Sequence, residues 1–301
     1  MKAVKKILFP TDFSPCARFA AGNALSLAKK LNADLYILHA SLMFESDPNN
    51  PDKQLETGEL KNEIMTDPEP YVSRRIDDLL KTYDVEARTH KVQVRGFTEV
   101  SAIMEWAKEN EPDLIVMGTH GRRGFKRWLL GSVAEEIIRA ATCPVITIKE
   151  HWVGDMSQVN TILAPLDFSE ASRPAVRQAL AMAKIFSARV HLLHVIQEPF
   201  LQDVYGSAYP GANEYRAETE TRARAIMNAM LDEENAKVEA NVVVTTGHPA
   251  KEIVRYADES NADLVLMAHK GHSSLPDRIL GSVTEHVSRA AHAPVYTTDL
   301  H

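Results

Sequence analysis

One stretch of this sequence occurs twice, and the duplication limits what the chain can fold into more than any other feature. KILFPTDFS, ending at Ser14, returns as TILAPLDFS, ending at Ser169. LYILHA, ending at Ala40, returns as VHLLHV, ending at Val195. PDLIVMGTHG, ending at Gly121, returns as ADLVLMAHKG, ending at Gly271, and GSVAEEIIRAATCPV from Gly131 returns as GSVTEHVSRAAHAPV from Gly281. The offset is 155 at Asp12 and Asp167 but 150 at Gly131 and Gly281, so the second copy is about five residues shorter between its early and late blocks. Loops absorb changes of that size. Blocks that recur in one order at nearly one offset indicate two domains, expected at residues 1–150 and 159–301. The joint falls near His151–Gln158, where hydrophobic periodicity stops. A chain of 301 residues gives each half enough length for its own core.

Within each copy, short apolar runs alternate with segments of helical periodicity. Ile7–Pro10 reads as a strand ending in a turn, and Ser14-Pro15 as an N-cap followed by proline at the first helical position. Ala17, Ala20, Ala24, Leu27, Ala28 and Leu31 share a helical face. Leu35–His39, Glu86–Val94, Leu114–Met117 and Val145–Ile148 read as further strands, separated by helices over Tyr71–Leu80, Val100–Glu109 and Ser132–Ala141. The matching strands of the second copy are Ile162–Pro165, Arg189–His194, Ala240–Val244, Leu264–Met267 and Val295–Thr298. Ser41–Pro70, rich in Asn, Asp and Pro, reads as a long exposed loop, with Gln197–Asn213 as its counterpart. Strand–helix alternation with near-continuous apolar strands implies an α/β fold: a doubly wound parallel sheet in each domain, covered by helices on both faces.

Ligands of such sheets collect beyond the carboxyl ends of the strands, where the strand order reverses. The first strand ends in Pro10-Thr11-Asp12. The fourth ends in Met117-Gly118 and runs through Gly121-Arg122, and Gly131-Ser132 then opens a helix. This pattern reads as a phosphate cradle. Gly118 and Gly121 would allow close backbone approach and left-handed dihedrals. A helix N-terminus at Gly131-Ser132 presents unpaired N–H groups to an anion, and Arg122, Arg123, Lys126 and Arg127 add positive charge. Asp12 could accept a sugar hydroxyl or help hold a metal on the phosphates.

Gly118-x2-Gly121-x9-Gly131-Ser132, with PTDFS upstream, resembles the signature of the ATP-binding branch of the universal stress protein family, and the resemblance covers nearly the whole chain twice. It implies five strands per domain in the order 3-2-1-4-5 and the adenine nucleotide alpha hydrolase-like fold. It further implies ATP or another adenine nucleotide, with Mg or Mn, across strands 1 and 4. Base and ribose contacts would fall on Pro10, Thr11, Asp12 and Ala40, and phosphate contacts on Gly118, Gly121, Arg122, Gly131, Ser132 and Val133. Pairing of the two domains as a pseudo-dimer within the chain, and of two chains as a homodimer, is also implied. In the second copy the corresponding positions are Pro165, Leu166, Asp167, Val195, Met267, Ala268, Gly271, His272, Gly281, Ser282 and Val283. Ala268 breaks the glycine pattern there, so that copy is read either as a weaker nucleotide site or as a ligand-free regulatory copy.

Other chemistry is poorly represented. The sequence has no Walker motif, no Rossmann G-x-G-x-x-G and no general base aimed at a terminal phosphate, so any hydrolysis is expected to be slow. His269-Lys270-Gly271-His272 superficially resembles a nucleotidylyl transferase element but follows the wrong strand. His39 and His194, which end apolar strands, read as structural histidines, and Cys16 as a buried small residue. Tyr205, Tyr209 and Tyr215 lie in or beside the second long loop, where they could cover the pocket or pack it. A formal charge of −7 argues against a broad nucleic-acid surface or an anionic membrane, and the chain has only two cysteines and no membrane-spanning run. A cytoplasmic nucleotide-responsive stress protein is therefore expected. An adenylate-transferring enzyme and a nucleotide-free dimerising scaffold are the alternatives.

Overall fold

The computed structural model describes residues 3–42, 64–65, 69–119, 130–197, 212–235, 237–269 and 280–298. Met1 aside, the chain divides into two compact units: Lys2–Glu150 with Asp155–Ser157, and His151–Gly154 with Gln158–His301.

The first unit runs β1 (Lys6–Pro10), α1 (Pro15–Leu31), β2 (Asp34–Leu42), β3 (Ile64–Met65), α2 (Pro70–Lys81), β4 (Arg88–Gly96), α3 (Glu99–Asn110), β5 (Leu114–Gly118), α4 (Ser132–Ala140) and β6 (Val145–Ile148). The parallel strands lie in the order β4-β2-β1-β5-β6, and β3 pairs antiparallel with β4. Counted among the parallel strands alone, this is the order 3-2-1-4-5. The second unit runs β7 (Thr161–Pro165), α5 (Ser172–Phe186), β8 (Arg189–Ile196), α6 (Ala212–Glu233), β9 (Ala240–Thr246), α7 (Pro249–Glu259), β10 (Leu264–Ala268), α8 (Ser282–Ala290) and β11 (Val295–Thr298). Its strands repeat the order as β9-β8-β7-β10-β11. Both units are doubly wound. Right-handed crossovers leading one way from the central strand place α1 and α2 on one face of the first sheet, and those leading the other way place α3 and α4 on the opposite face. Among the described residues no helix is long and apolar enough to cross a membrane.

Local chemistry sets the helix ends. The Ser14 hydroxyl accepts the Ala17 N–H at 3.2 Å, Pro15 takes the first turn, and Asn32 closes α1 in the left-handed region at φ 51°. Thr98 and Ser101 satisfy each other's backbone amides in a capping box at the start of α3. The central strands are buried over nearly their whole length, with Ile7, Leu8 and Phe9 of β1 and Leu114, Ile115 and Val116 of β5 all enclosed.

Three expectations are corrected. The Ser41–Pro70 segment is not all loop: β2 continues through Leu42, and Ile64–Met65 adds an antiparallel edge. Two residues of strand carry too little alternation to stand out in a polar stretch. In the second copy, α6 begins at Ala212, inside the segment read as loop, and continues for 22 residues. Among its described side chains Ala223, Met227 and Met230 are buried, a stripe too narrow to dominate a polar helix.

The third correction concerns Gly118. Among the described residues the only glycine with positive φ is Gly247, so Gly118 is not there for a left-handed turn. It is there for space. A Cβ at Gly118 would stand 3.0 Å from Cys16 Sγ and 3.1 Å from the Cys16 backbone carbon and oxygen. Cys16, 3% exposed, is the buried residue expected of it, with Sγ 3.7 Å from the Ile148 carbonyl oxygen. Gly118→Val is expected to lower the urea midpoint of unfolding by an amount equivalent to about 1–3 kcal/mol. Cys16→Ala should not rescue it, because the backbone of residue 16 lies as near as the thiol; full rescue would show that only the sulfur sets the spacing.

Candidate functional site

The central strand pair is pinned at one end and open at the other. At its amino end, Asp113 Oδ2 accepts the N–H groups of Lys5 at 2.9 Å and Lys6 at 3.1 Å, and the Asp113 N–H donates to the Lys6 carbonyl at 2.9 Å. The ladder between β1 and β5 then has only two rungs, Ile7↔Leu114 and Leu8↔Ile115. Each strand stays paired to its outer neighbour for longer, β1 with β2 through Pro10↔Leu38 and β5 with β6 through Gly118↔Ile148. The sheet therefore parts between β1 and β5 toward the carboxyl ends of the strands, where the strand order reverses.

Proline explains the parting. Successive N–H groups of a strand point to opposite neighbours. The Thr11 N–H donates to the Leu38 carbonyl of β2 at 2.8 Å, so the nitrogen of Pro10 faces β5, and it has no hydrogen to give. The second unit repeats the device. Asp263 Oδ2 accepts Asn160 N–H at 2.8 Å and Thr161 N–H at 3.0 Å, two rungs follow at Ile162↔Leu264 and Leu163↔Val265, and Leu166 N–H turns to Leu193, leaving Pro165 toward β10.

Several of the residues expected at the site border this opening. Pro10, Thr11 and Asp12 form one lip. The Thr11 hydroxyl oxygen accepts the Phe13 N–H at 3.1 Å, and Asp12 Oδ1 accepts the Ser14 N–H at 3.0 Å. These bonds hold Phe13 at φ 61°, a conformation that costs a non-glycine residue about 1 kcal/mol. The Phe13 ring lies 4.9 Å from that of His39 and 4.8 Å from the Arg75 guanidinium carbon. Ala40 lies one strand away on β2, beyond the end of β1.

Met117 and Gly118 end the other lip. Thr119 N–H donates to the Ile148 carbonyl at 3.1 Å, and Gly131 N–H donates to the Thr119 carbonyl at 2.7 Å, so Gly131 lies beside the end of β5. Helix α4 starts there. Gly131 is its N-cap at φ −67° and ψ 149°, a backbone any residue adopts, and it has no side chain with which to cap the helix. What glycine supplies here is the absence of a side chain over the first-turn amides, among them those of Ser132 and Val133. In the second unit Pro165, Leu166 and Asp167 face Met267 and Ala268 in the same way, with Val195 on β8. Gly281, likewise without a side-chain cap, opens α8 before Ser282 and Val283.

Gly121, Arg122, Arg123, Lys126 and Arg127, together with Gly271 and His272, lie outside the described residues, as do Tyr205 and Tyr209 and the side chain of Tyr215. Asp113 and Asp263 were not singled out from the sequence. Their signal was present, since both precede the fourth apolar strand of their copies.

Comparison with known proteins agrees with this architecture. The model of the universal stress protein family matches residues 3–149 and again 158–298. A universal stress protein of Methanocaldococcus jannaschii is 32% identical over 146 residues, covering 48% of this chain and 82% of that protein. One from Mycobacterium tuberculosis is 29% identical over 228 residues, 73% of each chain. A crystal structure of a universal stress protein from Archaeoglobus fulgidus is similar over 99% of each chain with a TM-score of 0.62; at 22% identity it speaks to the fold alone.

The two strand-end histidines are structural, as expected. His39 Nδ1 lies 2.8 Å from the Thr11 carbonyl oxygen and His194 Nδ1 lies 2.9 Å from that of Leu166. A carbonyl only accepts, so Nδ1 carries the proton in both. Burial pulls the His194 pKa below the ordinary histidine value, against the opposing effects of the Leu166 carbonyl and the Asp167 charge. A depressed histidine pKa means that the unfolded chain binds more protons. The stabilisation is then complete above the unfolded pKa, about 6.5, and is lost as pH falls from there toward the folded value. The urea midpoint is expected to fall between pH 7.5 and 5.5, and His194→Asn, which keeps a donor for Leu166, should flatten that slope. Some slope should remain, because burial and Arg189 also depress His191. An unchanged slope in His194→Asn would contradict this assignment.

Proposed function

Because this chain belongs to the universal stress protein family, we propose that it is an ATP-binding regulatory protein whose nucleotide lies in the opening between β1 and β5, with a second site between β7 and β10. The observation that carries this reading is the meeting of a parted strand pair with a helix whose N-cap residue is glycine and offers no side-chain cap. Bare amides at a helix mouth favour a phosphate group, and the parted strands give the nucleoside a slot. In this reading Asp12 takes a ribose hydroxyl, the amides of Ser132 and Val133 take phosphate oxygens, and Ala40 borders the base.

Among the described residues no three His, Cys, Asp or Glu side chains gather as a cation site. A Mg or Mn ion would accordingly arrive on the phosphates, with Asp12 the nearest candidate to steady it through water. In this reading occupancy is the signal and hydrolysis is slow at most.

Nucleotide released on denaturing the purified protein should be an adenine nucleotide at up to two molecules per chain, identified by chromatography and mass spectrometry. Gly131→Asp gives a sharper test. Aspartate is a strong N-cap and adopts the dihedrals already present, so the variant should be at least as stable as the parent. Its carboxylate would occupy the amides meant for phosphate, and ATP affinity measured by calorimetry should fall about tenfold or more, some 1.4 kcal/mol. Undiminished ATP binding in a folded Gly131→Asp protein would remove α4 from the site.

A further inference from the structure

The turn that carries Asp12 is braced by a cation from a separate helix. We propose that Arg75 is a positioning residue for the first site, steadying the turn that presents Asp12 to the nucleotide; this rests on the nucleotide reading above. Phe13, the residue after Asp12, is buried and takes a left-handed backbone at φ 61°. Its N–H donates to the Thr11 hydroxyl oxygen at 3.1 Å, and its carbonyl accepts Arg18 Nε–H at 3.3 Å. The ring is held by other elements. His39 of β2 lies 4.9 Å from it, and the Arg75 guanidinium carbon of α2 stands 4.8 Å from its centre. Tyr71, one helical turn earlier, accepts an Arg75 Nη1–H on its hydroxyl at 2.9 Å and so steadies the guanidinium in turn.

A guanidinium within about 6 Å of a ring face is attracted by the ring's quadrupole. The attraction is present only while the ring meets α2, so it favours the backbone state that puts the ring there. Were Phe13 to relax from the left-handed region, Asp12 Oδ1, which accepts the Ser14 N–H across it, would turn as well. The cation acts on the nucleotide through the ring and the turn.

The second unit supplies a comparison. Val72, Ile76 and Leu79 are the buried residues of α2, and Ala223, Met227 and Met230 of α6 repeat their spacing at an offset of 151. The adjoining ladders give the same offset, since Gln93 pairs with His39 and Val244 with His194. Ile226 therefore stands at the position of Arg75. Phe168 still has φ 62°, with its ring 4.3 Å from that of His194. The turn forms without this cation, so Arg75 biases its population and does not create it.

The test is calorimetric titration of the full-length chain with ATP and magnesium, the first site being the one that Gly131→Asp weakens. Arg75→Gln keeps a donor for Tyr71 and removes the charge, and it should weaken that site about threefold; Arg75→Lys should restore most of the loss. AMP should lose the same factor as ATP, because the turn serves the ribose. In a Phe13→Leu background, Arg75→Gln should have no further effect. Ile226→Arg should tighten the second site by a similar factor, and it alters the other unit, so misfolding of one leaves the other readable. Unchanged affinity in Arg75→Gln or Ile226→Arg would overturn the inference while the nucleotide function stands. So would a loss that persists without the Phe13 ring, or one larger for ATP than for AMP. Absence of heat in the wild type would overturn that function and the inference with it.

Discussion

A parallel ladder passes hydrogen bonds to its two neighbours at alternate residues, and a proline ends the exchange on the side its nitrogen faces. In both units that side is the central one. Pro10 turns its nitrogen toward β5 and Pro165 toward β10, each two residues after the second rung of a two-rung ladder, at the next position that faces the same neighbour. The rest of the site depends on this. With Asp113 and Asp263 holding the amino ends of the same strand pairs, the carboxyl ends separate without loosening the sheet, because each strand stays paired to its outer neighbour.

Strain and close approach accumulate where the sheet parts. Phe13 and Phe168 occupy the left-handed region, steadied by the carboxylates of Asp12 and Asp167 and by ring contacts with His39 and His194. Gly118 lets the start of α1 press against the end of β5. The second unit has a Cβ at the equivalent position, Ala268, and its helix starts two residues later relative to the shared offset. A methyl group and a withdrawn helix turn are compatible changes, and the withdrawn turn is also what brings Ser172 to Asp167. The duplicated halves therefore share a frame but differ in where the helix after the first strand begins.

Much of this frame was legible in the sequence. Ser14-Pro15 announced the start of α1 because capping is chemistry among neighbouring residues, and the strands were legible because burial on both faces demands unbroken apolar runs. The short β3 escaped because two residues have no period, and α6 because its buried stripe of Ala223, Met227 and Met230 is thin. Of the two reasons the sequence offers for Gly118, the left-handed backbone does not hold. Left-handed backbone and close packing both select glycine, and sequence does not distinguish them.

By itself, the sequence determined the duplication, the α/β class, the strand order implied by the family it resembles, and the gathering of its repeated motifs at strand ends. These follow from periodicity, offsets and local capping, which act over a few residues. Tertiary structure alone decided which neighbour Pro10 faces, that Asp113 reaches back over a hundred residues to the start of β1, and that Ser172 rather than solvent meets Asp167. Those outcomes depend on the direction of individual N–H and O–H groups, set only when distant segments pack into one register.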